Sequence, residues 1–588
     1  MRTPTTTRLV LPLVIALLSA LCFLPALYGS FLNWDDNINF LDNPAYRGLG
    51  PDQLAWDVSS VLFGHYIPLT RVTWSINYAL GGLEPWGYHL VNLVLHAANA
   101  ALVYFVAQRL LSAAVDNGIP SPRDHYDLAL SAAVAALVFG VHPLRVEPVA
   151  WISARSDLLC ALFILVAVSS YLRAVEGTGP ASFRQMVWPT LAFATALLSK
   201  GVALPLPAAL FLLDIYPLRR FDRLGWRPLV REKTPLLLVM VAGVVVVVYA
   251  LRHGAVLTQL STYDASARLA AMVYACVMSP LRFVWPASLS PLYEIPARIS
   301  LLEPRFGLAL LVALLLTTLL IVLRRAWPAG LAAWTFSALM LAPVSAAVRQ
   351  GADLAPDRYS YIAGLGFAML VGGAALAMAR LTRRGVLSRA SAVLIGATAT
   401  AGLAALAVTS WSYAEIWRDS ETLWHWAVEM DPDCSVCHGK LGESALGGPD
   451  AARRAPQAEA SFRRAIELRP DLPDAYFNLG TALVLQGRYA EAEGPLQVYV
   501  KRVPQAAVGF ERLGLLYLLE KRYEAAVPLL RTALARRPDS PGLRGYLIEA
   551  LEGNARDLIA GGRATEAEKL AAEARALRDG PRAEEATR

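Results

Sequence analysis

Two adjacent carboxylates, Asp35 and Asp36, stand in the stretch Phe31-Leu32-Asn33-Trp34-Asp35-Asp36-Asn37, just beyond a long apolar run. That run, Leu9 to Tyr28, reaches the roughly 20 residues that a membrane span requires. A carboxylate leaving such a span lies at the membrane–water boundary. There it can take a proton from a hydroxyl on a soluble substrate while a lipid-borne substrate arrives from the bilayer. An Asp-Asp pair can equally do no more than cap a loop, and these residues alone leave both readings open. Further ionisable groups gather at span ends: His142 to Glu147, Arg155-Ser156-Asp157, Ser199-Lys200-Gly201 and Asp357-Arg358-Tyr359. Charge at or inside a span is costly to keep, so each is a functional candidate. One such group in isolation reads as interfacial snorkelling or a local ion pair. Four clusters on the face that carries the Asp pair supply acids for proton abstraction and cations for a phosphate.

The elements that must position these groups follow from composition. At 588 residues and 56% hydrophobic, the chain is too long for one domain and too apolar for a soluble one. Apolar runs succeed one another up to about Ser410, and after Trp417 the chain turns charged and rich in Ala, Leu, Glu and Arg. Eleven spans are expected, near 9–28, 89–112, 127–142, 156–173, 187–199, 202–216, 234–251, 305–323, 329–345, 360–380 and 388–410. The first is read as a retained anchor, because its apolar run exceeds a leader's and no clean cleavage site follows. Arg109, Arg173, Arg219-Arg220, Arg324-Arg325 and Arg383-Arg384 fall on one side, the cytoplasm by the positive-inside rule. Asp35-Asp36, His142–Arg155, Lys200 and Arg358 fall opposite. Residues 268–286 are apolar enough to cross, but a crossing would invert the basic loops downstream, so they are expected to lie in the interface or re-enter. The formal charge of +7 sits largely in these short loops and does not point to nucleic acid.

The soluble part repeats. Leu479-Gly480 recurs as Leu513-Gly514, and Pro470, Pro504 and Pro538 follow at the same 34-residue interval. This is the tetratricopeptide (TPR) period, a helix–turn–helix unit that stacks into a solenoid with a concave, peptide-binding surface. An earlier degenerate unit holds Leu441-Gly442. The domains are therefore expected at 1–415 (membrane), 416–434 (linker), 435–578 (TPR) and 579–588 (disordered tail). Cys434-Ser435-Val436-Cys437-His438 formally matches the C-x-x-C-H haem-attachment pattern. His438, however, falls at an aromatic packing position of a repeat helix, and no distal ligand system accompanies it. A repeat helix with a Cys434–Cys437 disulfide is the reading preferred over haem.

Read in order, the blocks Asp35-Asp36…Asn43-Pro44, Tyr66-Ile67-Pro68-Leu69-Thr70…Asn77-Tyr78, Gly87-Tyr88-His89-Leu90-Val91-Asn92-Leu93…His96-Ala97-Ala98-Asn99, His142-Pro143…Glu147…Arg155-Ser156-Asp157 and Asp357-Arg358-Tyr359-Ser360-Tyr361 resemble the transmembrane-and-TPR O-mannosyltransferases. The resemblance implies a fold of the C-type glycosyltransferase (GT-C) superfamily, all-α and polytopic, followed by the TPR solenoid. It implies a sugar, a hexose such as mannose, taken from a polyprenyl-phosphate donor and placed on a protein or peptide acceptor held by the TPR groove. It implies the bacterial inner membrane, with the repeats periplasmic. Asp35 would be the general base, and Asp36 would position the acceptor or raise the pKa of Asp35. Arg155, Lys200 and Arg358 would hold the carrier phosphate, and His142, Glu147 and Asp157 would shape the site. No metal site is indicated, although a divalent ion at Asp35/Asp36 stays open. Members often show Lys-Glu where this chain has Lys200-Gly201. Two rivals remain: a transferase acting on a lipid or envelope glycan, and a non-catalytic membrane-anchored scaffold.

Overall fold

The computed structural model describes residues 5–115, 122–253, 264–296, 298–342 and 353–579, which are helical with no β-strand among them. Of the expected tail at 579–588, only Asp579 is among them. The chain divides into two compact units, Met1–Trp426 and Ala427–Arg588.

Among the described residues of the first unit, seven helices are long and apolar enough to cross a bilayer: Pro85–Ala114, Ile152–Ala174, Trp226–His253, Ala265–Val284, Pro304–Arg325, Leu365–Arg383 and Arg389–Ile416. An eighth is added if Asp124–Gly140 and Pro143–Ala150, bent by 60°, count as one span. The polytopic, all-helical class holds, and shorter apolar helices, Val10–Leu21, Gly201–Ile215 and Pro328–Leu341, stand at three further expected spans. The helices Phe183–Ser199 and Leu206–Ile215 have 17 and 10 residues because Lys200 between them is extended. At 1.5 Å per residue they reach only about 26 and 15 Å, short of the roughly 30 Å hydrocarbon core. Pro328–Leu341 has 14 residues, and the stretch beyond Ala342 lies outside the described residues.

Of the stretch expected to lie in the interface or re-enter, residues 268–284 belong to one 20-residue helix, Ala265–Val284, long and apolar enough to cross and N-capped by Asp264, whose carboxylate accepts from Ala267 N at 2.7 Å. Arg282 near its end is turned inward and pairs with Asp357 at 3.2 Å.

The Arg155–Ala174 helix is central: 72% of its apolar window is buried in protein, against none for the window of Arg389–Ile416, which is left to face lipid. Buried polar groups tie the central helices together, since unpaired ones are costly away from water. His96 Nε2 bonds Gly140 O at 2.8 Å, so its Nδ1 accepts from Tyr361 Oη at 2.8 Å. Asn99 Nδ2 donates to the same Tyr361 oxygen and to Leu158 O.

The second unit is four helix pairs, beginning with Ser435–Leu446 and Ala451–Leu468 and ending with Pro541–Ala560 and Ala564–Asp579. The Leu-Gly signature explains the pairing. A Cβ on Gly442, Gly480 or Gly514 would fall 2.6 Å from Phe462, 2.5 Å from Leu496 or 2.8 Å from Leu530. Only glycine lets the two helices of each pair approach so closely. Cys434 and Cys437 are joined by a disulfide at the start of the first repeat helix, so neither sulfur is free to hold haem. His438 bonds Pro432 O at 3.0 Å.

Candidate functional site

The segment from His142 to Asp157 is the hub on which the sequence-predicted residues converge. Two prolines, Pro143 and Pro148, prevent a continuous helix, and the chain advances through short turns: Pro143–Arg145, Val146–Ala150 and Ile152–Ala154. Its side chains therefore splay in several directions, and each direction meets one candidate.

The first is Asp36. The chain leaves its opening helix through a 3₁₀ turn, Leu24–Tyr28, and Ser30 N then bonds Arg418 O at 2.8 Å. Asn33 is fixed next: its N–H donates to Ser420 Oγ at 2.9 Å, and its side-chain oxygen accepts from Trp424 Nε1 at 2.6 Å. Asp36 is fully buried. Its Oδ1 accepts from Ser153 N at 3.1 Å and Ser153 Oγ at 2.5 Å, and its Oδ2 accepts from Leu32 N at 3.0 Å. Burial pushes its pKa up to about 7 against the pull of those bonds, and the charge of Asp35 adds to the rise. Asp35, by contrast, is partly exposed. The two carboxylates are thus unlike: one anchors the loop and the other is carried by it. Phe40, Tyr46, Trp74 and Tyr88 pack behind the loop as a buried aromatic cluster.

Arg358 comes next. It bonds Glu147 through both its backbone N–H, at 2.8 Å, and its guanidinium, and Asp353 lies 3.5 Å away. Its guanidinium stands 5.3 Å from the ring of Trp151, whose other neighbour is Trp34 at 6.4 Å. Trp151 therefore forms a wall between the Asp35 loop and Arg358. Behind Arg358, Asp357 accepts from Arg282 and from Tyr293 Oη, each at 3.2 Å. Burial pushes Asp353 and Asp357 up to about 7, opposed by Arg358 and Arg282 respectively.

Lys200 pairs with Asp157 at 2.5 Å, their side chains 10% and 5% exposed. Arg155 is placed differently from Arg358 and Lys200. It is fully buried, and its three nitrogens donate to Asn92 Oδ1, Thr73 O and Tyr88 O at 3.0–3.1 Å. That makes it a brace between helices and leaves no free edge for a phosphate. His142 is likewise a structural pin: its Nδ1 accepts from Leu144 N at 3.2 Å, so its Nε2 donates to Phe283 O at 2.9 Å. Neither ring nitrogen is left for acid–base work.

Sequence reasoning missed Ser153, Trp151, Arg282 and Asp353. Ser153 and Trp151 sit inside the hub between two flagged clusters, a position that could have drawn notice. Arg282 was hidden in an apolar segment. Among the described residues, no group of three or more His, Cys, Asp or Glu is arranged to hold a metal ion.

Comparison with known proteins adds the following. Family models described as tetratricopeptide repeat match residues 450–507 and 510–540. The chain is 36% identical over 177 residues to protein O-mannosyl-transferase TMTC4 of Mus musculus, covering 28% of this chain and 23% of that protein. It is 40% identical over 131 residues to protein O-mannosyl-transferase Tmtc3 of Drosophila melanogaster, covering 21% and 14%. The matched stretches thus span less than a quarter of either relative, and they bear out the resemblance read from the ordered motifs. The solved structure of ArnT from Cupriavidus metallidurans bound to undecaprenyl phosphate aligns with 86% of this chain and 81% of that one. Its identity of 18% and TM-score of 0.34 carry no detail over.

Proposed function

We propose that this multi-pass membrane protein is a glycosyltransferase that moves a hexose such as mannose from a polyprenyl-phosphate carrier to a hydroxyl of a protein acceptor. The single observation that carries the reading is the unlike pair of carboxylates: a partly exposed Asp35 on a loop anchored through the buried Asp36. Similarity to proteins named protein O-mannosyl-transferases supplies the reaction class.

In the proposed step Asp35 accepts the proton of the acceptor hydroxyl as its oxygen attacks the anomeric carbon. The bond from that carbon to the carrier phosphate breaks, and its electron pair leaves with the phosphate. Arg358, partly exposed, and Lys200, buried against Asp157, balance the charge that grows on the leaving oxygen. Asp36 holds the loop, and Glu147 and Asp157 hold the two cations. One displacement inverts the anomeric centre.

The reaction side is proposed as the periplasmic face of a bacterial inner membrane, with the repeats engaging the acceptor there. The Cys434–Cys437 disulfide supports this, because disulfides persist in oxidising compartments. The test is a glycoproteomic comparison of cells carrying wild type, Asp35→Asn or no gene, with variant expression and insertion checked. Hexose on Ser or Thr, lost in both the variant and the null, is the expected result. Unchanged proteins with altered envelope glycans would move the acceptor to a glycan. No change in either would leave the scaffold reading.

A further inference from the structure

At the end of the Arg155–Ala174 helix away from the site, buried charge reappears. Arg220 bridges Asp214 at 2.8 Å and Glu232 at 2.7 Å, Lys233 reaches both carboxylates, and Tyr171 donates to Asp214 at 2.7 Å. The four charges cancel within the cluster. Tyr171 lies 16 residues beyond Arg155 on the helix, about 24 Å along its axis. This is a separate place from the candidate site.

Against the cluster lies a cleft of about 710 Å³ lined in part by Arg109, Arg220, Arg223, His125, Gln108 and Glu176. That volume falls within the roughly 300–1,000 Å³ of small-molecule sites. Two observations point to an anion. The wall carries three guanidinium groups but one carboxylate, Glu176. In addition, Arg220 is 1% exposed and its Nε is buried without a hydrogen-bond partner, although its other nitrogens are bonded. A stranded buried donor carries a cost that a partner oxygen beside this guanidinium would relieve.

A purely structural role for Arg220 accounts for its bonds to Asp214 and Glu232. It leaves the vacant Nε unexplained. Glu176 is a weak competitor. It meets Arg109 at 3.1 Å, but the side chains are 35% and 68% exposed. Such surface pairs contribute little, less than a charge-assisted fork of guanidinium and phosphate.

We propose that this cleft binds a phosphate-bearing ligand, a mono- or diester with a polar substituent large enough to fill the volume. The phosphate can come from a lipid headgroup or from a soluble compound, and the test separates the two. Full-length protein in phosphatidylcholine nanodiscs is titrated with pyrophosphate, and in a second arm the nanodiscs are doped with phosphatidylglycerol and bound lipid is counted by native mass spectrometry. Arg109→Gln with Arg223→Gln leaves the buried cluster intact, and Arg324→Gln with Arg325→Gln is the control. The expected result is saturable binding weakened at least tenfold by the first pair of substitutions and unaffected by the control. Loss in the doped arm identifies a headgroup, and loss in the pyrophosphate arm identifies a soluble phosphate. No saturable binding in either arm, or loss shared equally by the control, overturns the proposal.

Discussion

Asp35→Asn and Asp36→Asn should fail in opposite ways. Asp36 accepts two bonds from Ser153 on one oxygen and one from Leu32 N on the other, at 2.5–3.1 Å, with no exposure to water. Asparagine supplies one acceptor oxygen. If that oxygen keeps Ser153, the amide nitrogen faces the Leu32 N–H, donor against donor. One buried bond is lost and a donor is stranded, a cost of about 1–3 kcal/mol. Asp36→Asn should therefore lower the unfolding temperature, and it should reduce transfer through a loosened loop. Asp35 is partly exposed, and its substitution should cost less stability than that of the fully buried Asp36. Removing a general base should instead reduce kcat by about 10²–10⁴-fold with little change in KM. The assay pairs thermal unfolding in nanodiscs with transfer of labelled mannose from polyprenyl-phosphate mannose to a Ser/Thr peptide. An Asp36→Asn protein as stable as wild type, or an Asp35→Asn protein that keeps its rate, would refute the division of roles.

Stability should also depend on pH through Asp36 and Asp357, each held near 7 when folded against roughly 4 when unfolded, and through Asp353, which burial pushes the same way. Between those values the folded chain keeps protons that the unfolded chain has released, so stability falls as pH rises from about 4 to 7, by about 1.4 kcal/mol per pH unit for each group. The unfolding temperature should then be higher at pH 5.5 than at pH 8, and a flat or reversed profile counts against the burial argument. Gly480→Ala places a methyl group 2.5 Å from Leu496 and should destabilise the repeats by about 1–3 kcal/mol, read by circular dichroism on the full chain. Gly439→Ala, with nothing within 4 Å, should instead stabilise its helix by up to about 1 kcal/mol. Thiol labelling of denatured, unreduced protein should reach Cys22, Cys160 and Cys276 but spare Cys434 and Cys437. Labelling of all five would remove the support for an oxidising compartment.

What was legible in the sequence was what is local. The Asp35-Asp36 pair, the span-end clusters and the 34-residue repeat are each written within a few neighbouring residues or at a fixed interval. Partners were not legible, because Arg358 and Glu147 are 211 residues apart and Lys200 and Asp157 are 43 apart. Nor does a sequence separate a cation facing a cleft from one gripped by carbonyls: Arg155 and Arg358 look alike until Thr73 O and Tyr88 O close around the first. The break at Lys200 was legible, because a charged residue interrupts the apolar run there, and the chain is extended at Lys200 between two short helices.

The broken segment also explains why the candidate site sits where it does. Irregular backbone at the edge of a bilayer is tolerated only where protein covers its polar groups. Every residue from Val141 to Ile152 is buried, so the turns here are enclosed. A straight helix through Pro143 and Pro148 would have lined its side chains along stripes and sent some of them to lipid. The bent path instead sends Glu147 to Arg358, the ring of Trp151 to the same guanidinium, Ser153 to Asp36 and Asp157 to Lys200. One enclosed stretch thereby sets the positions of both the acid loop and the two cations, Arg358 and Lys200. Ser153→Ala should accordingly disturb the acid loop without loosening Arg358, whereas Glu147→Gln should do the reverse.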